Sequence, residues 1–200
     1  MKCVSFVSNI SAYITCAILM VAVSLLAASN TGKAAPAASV KQKLAHIEAN
    51  GRMPHPDPAP TVITEDEANA YLASNEVQLP VGVQAVKLHG EPGIINGSAQ
   101  IDFDKVQEGT HSSNPLLSIF SGLHAVEVAT HAYGKAGQGF VHVDSVSIDG
   151  VEVPRFVLEL FVDKYLRPRY PQIGLDSQFK LADRIDSAMI GEHKVTIVQK

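Results

Sequence analysis

The sequence predicts an α+β fold in which an antiparallel sheet packs against a long apolar helix. Three observations carry that expectation. Residues 95–104 alternate, with Ile95, Gly97, Ala99, Ile101 and Phe103 set against Asn96, Ser98, Gln100, Asp102 and Asp104. A period of two with one dry and one wet face marks a strand covering a core on one side. Segments 123–133 and 140–148 flank GKAGQG and read as a hairpin. Residues 155–166, RFVLELFVDKYL, follow Pro154 and carry Phe156, Val157, Leu160, Phe161 and Leu166. Pro starts helices well, and a helix so broadly apolar should be largely covered.

The elements follow in chain order. Lys2, the apolar run Ala12–Ala28 and the small residues Ala27-Ala28-Ser29 have the order of a secretory signal, so 1–29 is expected to be a leader. That run, 17 residues apolar except for Thr15 and Ser24, also sits at the lower edge of what spans a bilayer, so an uncleaved anchor is the competing reading. Either way the domain lies outside the cytoplasm, periplasmic or secreted, with the positive end inside. Residues 30–60 read as a short helix and a linker. Val40, Leu44 and Ile47 give the helix from Ser39 one apolar stripe, and Gly51 suits its end. The run MPHPDPAP, 53–60, has four prolines and reads as a stiff extended connection before the main domain, 61–200.

Thr64 and Glu67 form a capping box for a helix to about Ser74, with Ala68, Tyr71 and Leu72 on its buried side. A strand at 83–89 precedes the alternating one, and 107–114 reads as a polar loop. Residues 115–120 read as a helical turn or a lead-in to a strand. Centring the hairpin turn between Ala136 and Gly137 puts Val126, Val128, Thr130, Val141 and Val143 on one face, and Glu127, His131, His142 and Asp144 on the other. Asp149-Gly150 reads as a two-residue turn. Strands near 178–189 and 193–198, with Gly191-Glu192 between them, close the chain.

Composition excludes several function classes. The chain has 200 residues and a net charge of −4; without the leader, 15 basic residues face 20 acidic ones. A general nucleic-acid role needs a basic face and is excluded on that ground. Both cysteines, Cys3 and Cys16, lie in the leader, so the domain would hold no disulfide, thiolate metal site or cysteine nucleophile. GKAGQG lacks the Walker spacing and a following helix, so it reads as a turn. No nucleophile elbow is present, and no cofactor motif. The expectation is a protein without a cofactor and without an assigned catalytic residue.

Two clusters offer chemistry. His131 and His142, with Glu127 and Asp144, have the donor types of a zinc site; the alternative is the solvated face of a sheet. Arg155, Lys164, Arg167 and Arg169 surround the apolar helix, where they would meet anionic headgroups or simply favour a helix C-terminus.

Three features together suggest a family. They are ITEDEANAYLAS at 63–74, VSIDGVEVPRFVLELFVDKYL at 146–166, and the closing hairpin. Residues 60–200 resemble bacterial extracytoplasmic lipid-binding proteins of the LmeA-like kind, whose fold is similar to the tubular lipid-binding superfamily. The helix and proline segment before residue 60 depart from that pattern. The resemblance implies a curved sheet against a long helix with an apolar groove between them, binding lipid or another apolar ligand. Phe156, Leu160 and Phe161 would line the groove, facing Ile101 and Phe103. The same residues would serve equally in a closed core, which leaves a structural or interaction protein of the envelope as the alternative. The third reading is a metal-dependent enzyme built on His131 and His142.

Overall fold

The computed structural model describes residues 36–74, 76–110, 121–163, 167 and 174–200. The predicted leader, and residues 115–120, lie outside this set. In chain order the elements are α1 Pro36–Gly51, β1 Thr61–Thr64, α2 Glu65–Leu72, β2 Val83–Glu91, β3 Ile94–Asp102 and α3 Phe103–Thr110. Then come β4 Leu123–Lys135, β5 Gln138–Ile148, β6 Val151–Glu152, α4 Arg155–Phe161, β7 Asp176–Lys180, β8 Ile185–Gly191 and β9 Lys194–Gln199. All pairings are antiparallel, so the α+β class holds.

The sheet is forked. Its order runs β1-β9-β8-β4-β3-β2, and β5 takes the other edge of β4. Two strands share one edge of β4: β3 pairs from Ile94↔His131 to Asp102↔Leu123, and β8 pairs at Tyr133↔Met189 and Gly134↔Ala188. Where they meet, the Gly93 N–H donates to Ile190 O at 3.0 Å and the Ala132 N–H donates to Gly93 O at 3.1 Å. From that point β3 continues to β2 and β8 to β9, and α2 packs against β2 and β1.

The central hairpin has the expected register, with His131↔His142, Tyr133↔Phe140 and Lys135↔Gln138. One feature was not anticipated. Thr130 pairs with Val143 and Ala129 with Ser145, so Asp144 is a bulge. The extra residue reverses the inward parity, from Val141 and Val143 to Val146 and Ile148, and a bulge bends its strand. The Asp149-Gly150 turn has φ of 50° and 77°, the left-handed pair a two-residue turn requires.

Several sequence expectations are corrected. β3 ends at Asp102, because the Asp102 carboxylate accepts the Lys105 N–H at 3.2 Å and opens α3; Phe103 is helical. The expected strand 178–189 is two strands, turned at Asp183 and Arg184, both at positive φ. The last turn is Glu192-His193, since Gly191 pairs with Lys194. Helix α1 starts at Pro36 rather than at Ser39 and packs on the core. Val40 and Ile47 are buried, and Ile47 packs with Leu181 and Ile185.

The proline segment is held as well. Asn50 exchanges hydrogen bonds with the Asp57 backbone, 2.9 Å from its Nδ2 to Asp57 O and 2.8 Å from Asp57 N to its Oδ1. Arg184 Nη1 donates to the carbonyls of Met53 and Pro54 at 2.9 Å. Gly51 is required for this approach: a Cβ there would lie 2.4 Å from Asp183 O.

The inner face is built of modest side chains. Val83, Ala99, Ile101 and Val126 form one cluster, and Val143, Val162 and Leu175 a second, joined through Val128 and Val146. Phe179 joins the clusters of Ile47 and of Ile95, Ala132 and Val141. No large side chain among the described residues falls below 2% exposure.

Because α1 is part of this core, truncating Ile47→Ala should cost about 2–5 kcal/mol. Urea denaturation measures it; a change near zero would place the helix outside the folded unit.

Candidate functional site

Under α1 the core is incomplete. A cavity of about 150 Å³ lies between α1, α2 and the forked part of the sheet. Val40, Leu44 and Ile47 of α1 close one side; Ala68 and Leu72 of α2, and Ile95, Ala188 and Ile197 of the sheet, close others. Glu65 and Lys194 are the charged side chains beside it at the β1–α2 and β9 end, with Asp183 opposite.

α1 is tied at both ends. Near its start the Ser39 hydroxyl donates to Glu67 Oε1 at 2.6 Å, and at its middle Lys43 Nζ lies 2.7 Å from both Glu67 carboxylate oxygens. Burial pushes the Glu67 carboxyl up, but these donors and the Thr64 N–H outweigh it and hold the pKa at about 2. Glu67 also completes the predicted capping box: its N–H donates to Thr64 Oγ1 at 3.3 Å while Thr64 N–H donates to its carboxylate at 2.8 Å. At the other end, Gln199 Oε1 accepts from Asn50 Nδ2 at 2.9 Å, and Gln199 Nε2 donates to Ile47 O and Asp183 O at 2.7 and 2.6 Å. Buried amides with every group engaged fix one arrangement, whereas an unmet one would cost about 1–3 kcal/mol.

α2 is tied to the sheet by two side chains. Asn69 presents its amide to Leu88 as a neighbouring strand would, 2.8 Å in each direction, satisfying the free edge of β2. Glu65, the first residue of α2, closes the fork. Its Oε2 accepts the Gly90 N–H at 3.0 Å and lies 2.8 Å from His193 Nδ1; its Oε1 lies 3.3 Å from His89 Nδ1. Backbone bonds lock the same three segments: Glu65 N–H to His193 O, and His193 N–H to Gly90 O, both 2.8 Å. The Gly90 N–H, then His193 and His89, hold the Glu65 carboxyl at about 2, against the penalty of burial. The Glu65 contact in turn raises His193 above its ordinary value.

The predicted site residues are distributed differently. Ile101 is buried, and Phe103 packs on its cluster. Phe156 and Leu160 are 64% and 56% exposed, and Phe161 is more than a third exposed. The face of α4 that is buried carries Leu158 and Val162. That pair is offset by two residues, about 200°, from Phe156 and Leu160, so the two pairs occupy opposite sides of the helix. The structure therefore does not bring the two halves of the expected groove together. The described helix has seven residues, and Lys164 and Arg169 lie outside the described residues. Arg155 bridges to Asp176 at 2.8 Å and Glu159 at 3.3 Å, and Arg167 pairs with Asp163 at 2.6 Å.

His131 and His142 do face each other, but each is engaged by a carboxylate. His131 Nδ1 lies 2.6 Å from Asp144 Oδ2, and His142 Nδ1 pairs with Asp176. Among the described residues, the group whose metal-ligand atoms converge is instead Glu65, His89 and His193. No periodicity or spacing connects residues 65, 89 and 193; only the fork brings them together.

The chain matches no protein-family model, no curated protein and no solved structure.

The Glu65 junction makes a signed prediction. Its carboxylate stabilises the fold above the ordinary value of 4.5 and loses that effect as pH falls towards 2. The His193 contribution is complete below 6.5 and fades as pH rises through a higher folded value. The stability lost in Glu65→Gln should therefore be greatest between pH 4.5 and 6.5, and shrink on both sides. Denaturation midpoints from pH 2 to 9 would show it, and a difference independent of pH would contradict it.

Proposed function

We propose that the protein is a non-enzymatic, exported binding protein of the cell envelope for a lipid or another apolar ligand. The observation that carries this reading is the apolar cavity beneath α1. The resemblance of residues 60–200 to LmeA-like lipid-binding proteins points to the same ligand class, and the leader expected at 1–29 points to export. Among the described residues no helix is long and apolar enough to cross a membrane.

Size sets the form of the ligand. About 150 Å³ matches a cavity that holds a single benzene-sized group, below the range of about 300–1,000 Å³ for ordinary ligand sites. Burying about 150 Å² of apolar ligand surface would gain about 4 kcal/mol. Association alone costs about 4–15 kcal/mol. The ligand proposed therefore inserts an apolar end under α1 and keeps a second part outside, beside Glu65 and Lys194.

The second reading, an envelope interaction protein, draws on the outer sheet face. There Tyr133 stacks on Phe140 at 4.9 Å; Tyr133 is half exposed and Met189 more than half.

Ala68→Phe fills the cavity from α2 and separates the readings. Native mass spectrometry of the wild type should show co-purifying lipid, and a fluorescent fatty acid should bind. Ala68→Phe should abolish both, while Leu160→Ala on the exposed side of α4 retains them. A wild type that carries no lipid and takes up no fatty acid would sink the proposal.

A further inference from the structure

We propose that Glu65, His89 and His193 form a binding site for a divalent transition-metal ion of the zinc class. The inference is independent of the apolar-ligand reading, because it rests on a different set of groups.

The donor set is the first argument. Two imidazole nitrogens and one carboxylate oxygen are a three-ligand set that zinc accepts, leaving a fourth position for water or a ligand. The ligand atoms all lie within 4.8 Å of one another. A tetrahedral zinc with bonds of about 2.0–2.1 Å sets its ligand atoms about 3.3 Å apart. Glu65 already stands at 2.8 Å from His193 and 3.3 Å from His89. The imidazole rings are about half exposed, with centroids 5.0 Å apart and planes at 60°, so side-chain rotation supplies the remaining approach.

The scaffold is the second argument. Each ligand comes from a different element, and the three backbones are bonded to one another at the fork. Glu65 is oriented by the Gly90 N–H, as a metal-bound carboxylate is oriented by an outer partner. The three ligands already meet on backbones bonded to one another, so binding requires no new backbone arrangement.

The surrounding charge is the third. Glu91 Oε1 lies 3.6 Å from His89 Nε2, and Asp66 and Glu192 both act on His193. Lys194, next in the chain, is the nearby cation, so the acidic groups predominate. His131 and His142 have no such convergence, which makes them the internal control.

Titration of the tag-free full chain with Zn²⁺ by calorimetry should show one equivalent bound. The double substitution H89A/H193A should weaken it by more than about 100-fold, while H131A/H142A leaves it unchanged. Histidine ¹⁵N NMR of the wild type keeps the test independent of variant folding: Zn²⁺ should shift the Nδ1 signals of His89 and His193. Absence of stoichiometric binding, equal loss in both double variants, or NMR shifts confined to other histidines would overturn the proposal.

Discussion

Along one edge of β4, two strands lie end to end: β3 beside its first nine residues and β8 beside Tyr133 and Gly134. Both run antiparallel to β4, so at their meeting point each must leave for its own hairpin partner. The sheet divides there, and although several backbone groups bond across the division, two others take partners from outside the strands. Glu65 provides them. Its helix begins where β1 ends, and its carboxylate takes the Gly90 N–H while its own N–H goes to His193 O. An acid at a helix start is favoured by the helix dipole in any case. Here that local preference is used to join two branches of a sheet.

A divided sheet cannot fill its own inner face, and this explains the role of α1. The inner residues are mostly Val, Ile and Ala, with Phe179 bridging two clusters. Crowding at the centre leaves no room for more: a Cβ on Gly134 would come within 2.8 Å of Ala188 N, and one on Gly139 within 2.6 Å of the Phe179 ring. Those two glycines face each other across β4 and β5, with β8 packed closely on one and the Phe179 ring of β7 on the other. α1 covers the part left open.

The sequence made the periodic elements legible because their signals are local. The capping box at Thr64, the central register and the Asp149-Gly150 turn each depend on residues within a few positions of one another. The errors arose where a local signal had two readings. Phe103 continued the period of two, but Asp102 as a helix cap stopped the strand. In 155–166 the number of apolar residues was read without their phase, and the buried stripe is Leu158–Val162. The four prolines after α1 give no local sign of how that segment is held; Asn50 ties it back to α1 and Arg184 to the turn before β8. The Glu65 group was illegible for a simpler reason: its members are 24 and 104 positions apart, and only the topology joins them.

The cavity and the junction follow from the same cause. α1 is fixed by polar groups along its first half, through Ser39 and Lys43 to Glu67, and at its end, through Asn50 to Gln199. Those ties are short and directional, so the ends cannot shift without losing several hydrogen bonds at once. Leu44, next to Lys43 in the chain, faces the cavity. The cavity lies under Val40, Leu44 and Ile47, and Glu65 both lines it and belongs to the group that converges with His89 and His193. A group entering beneath Leu44 and an ion held at the fork would thus act on neighbouring parts of one structural joint.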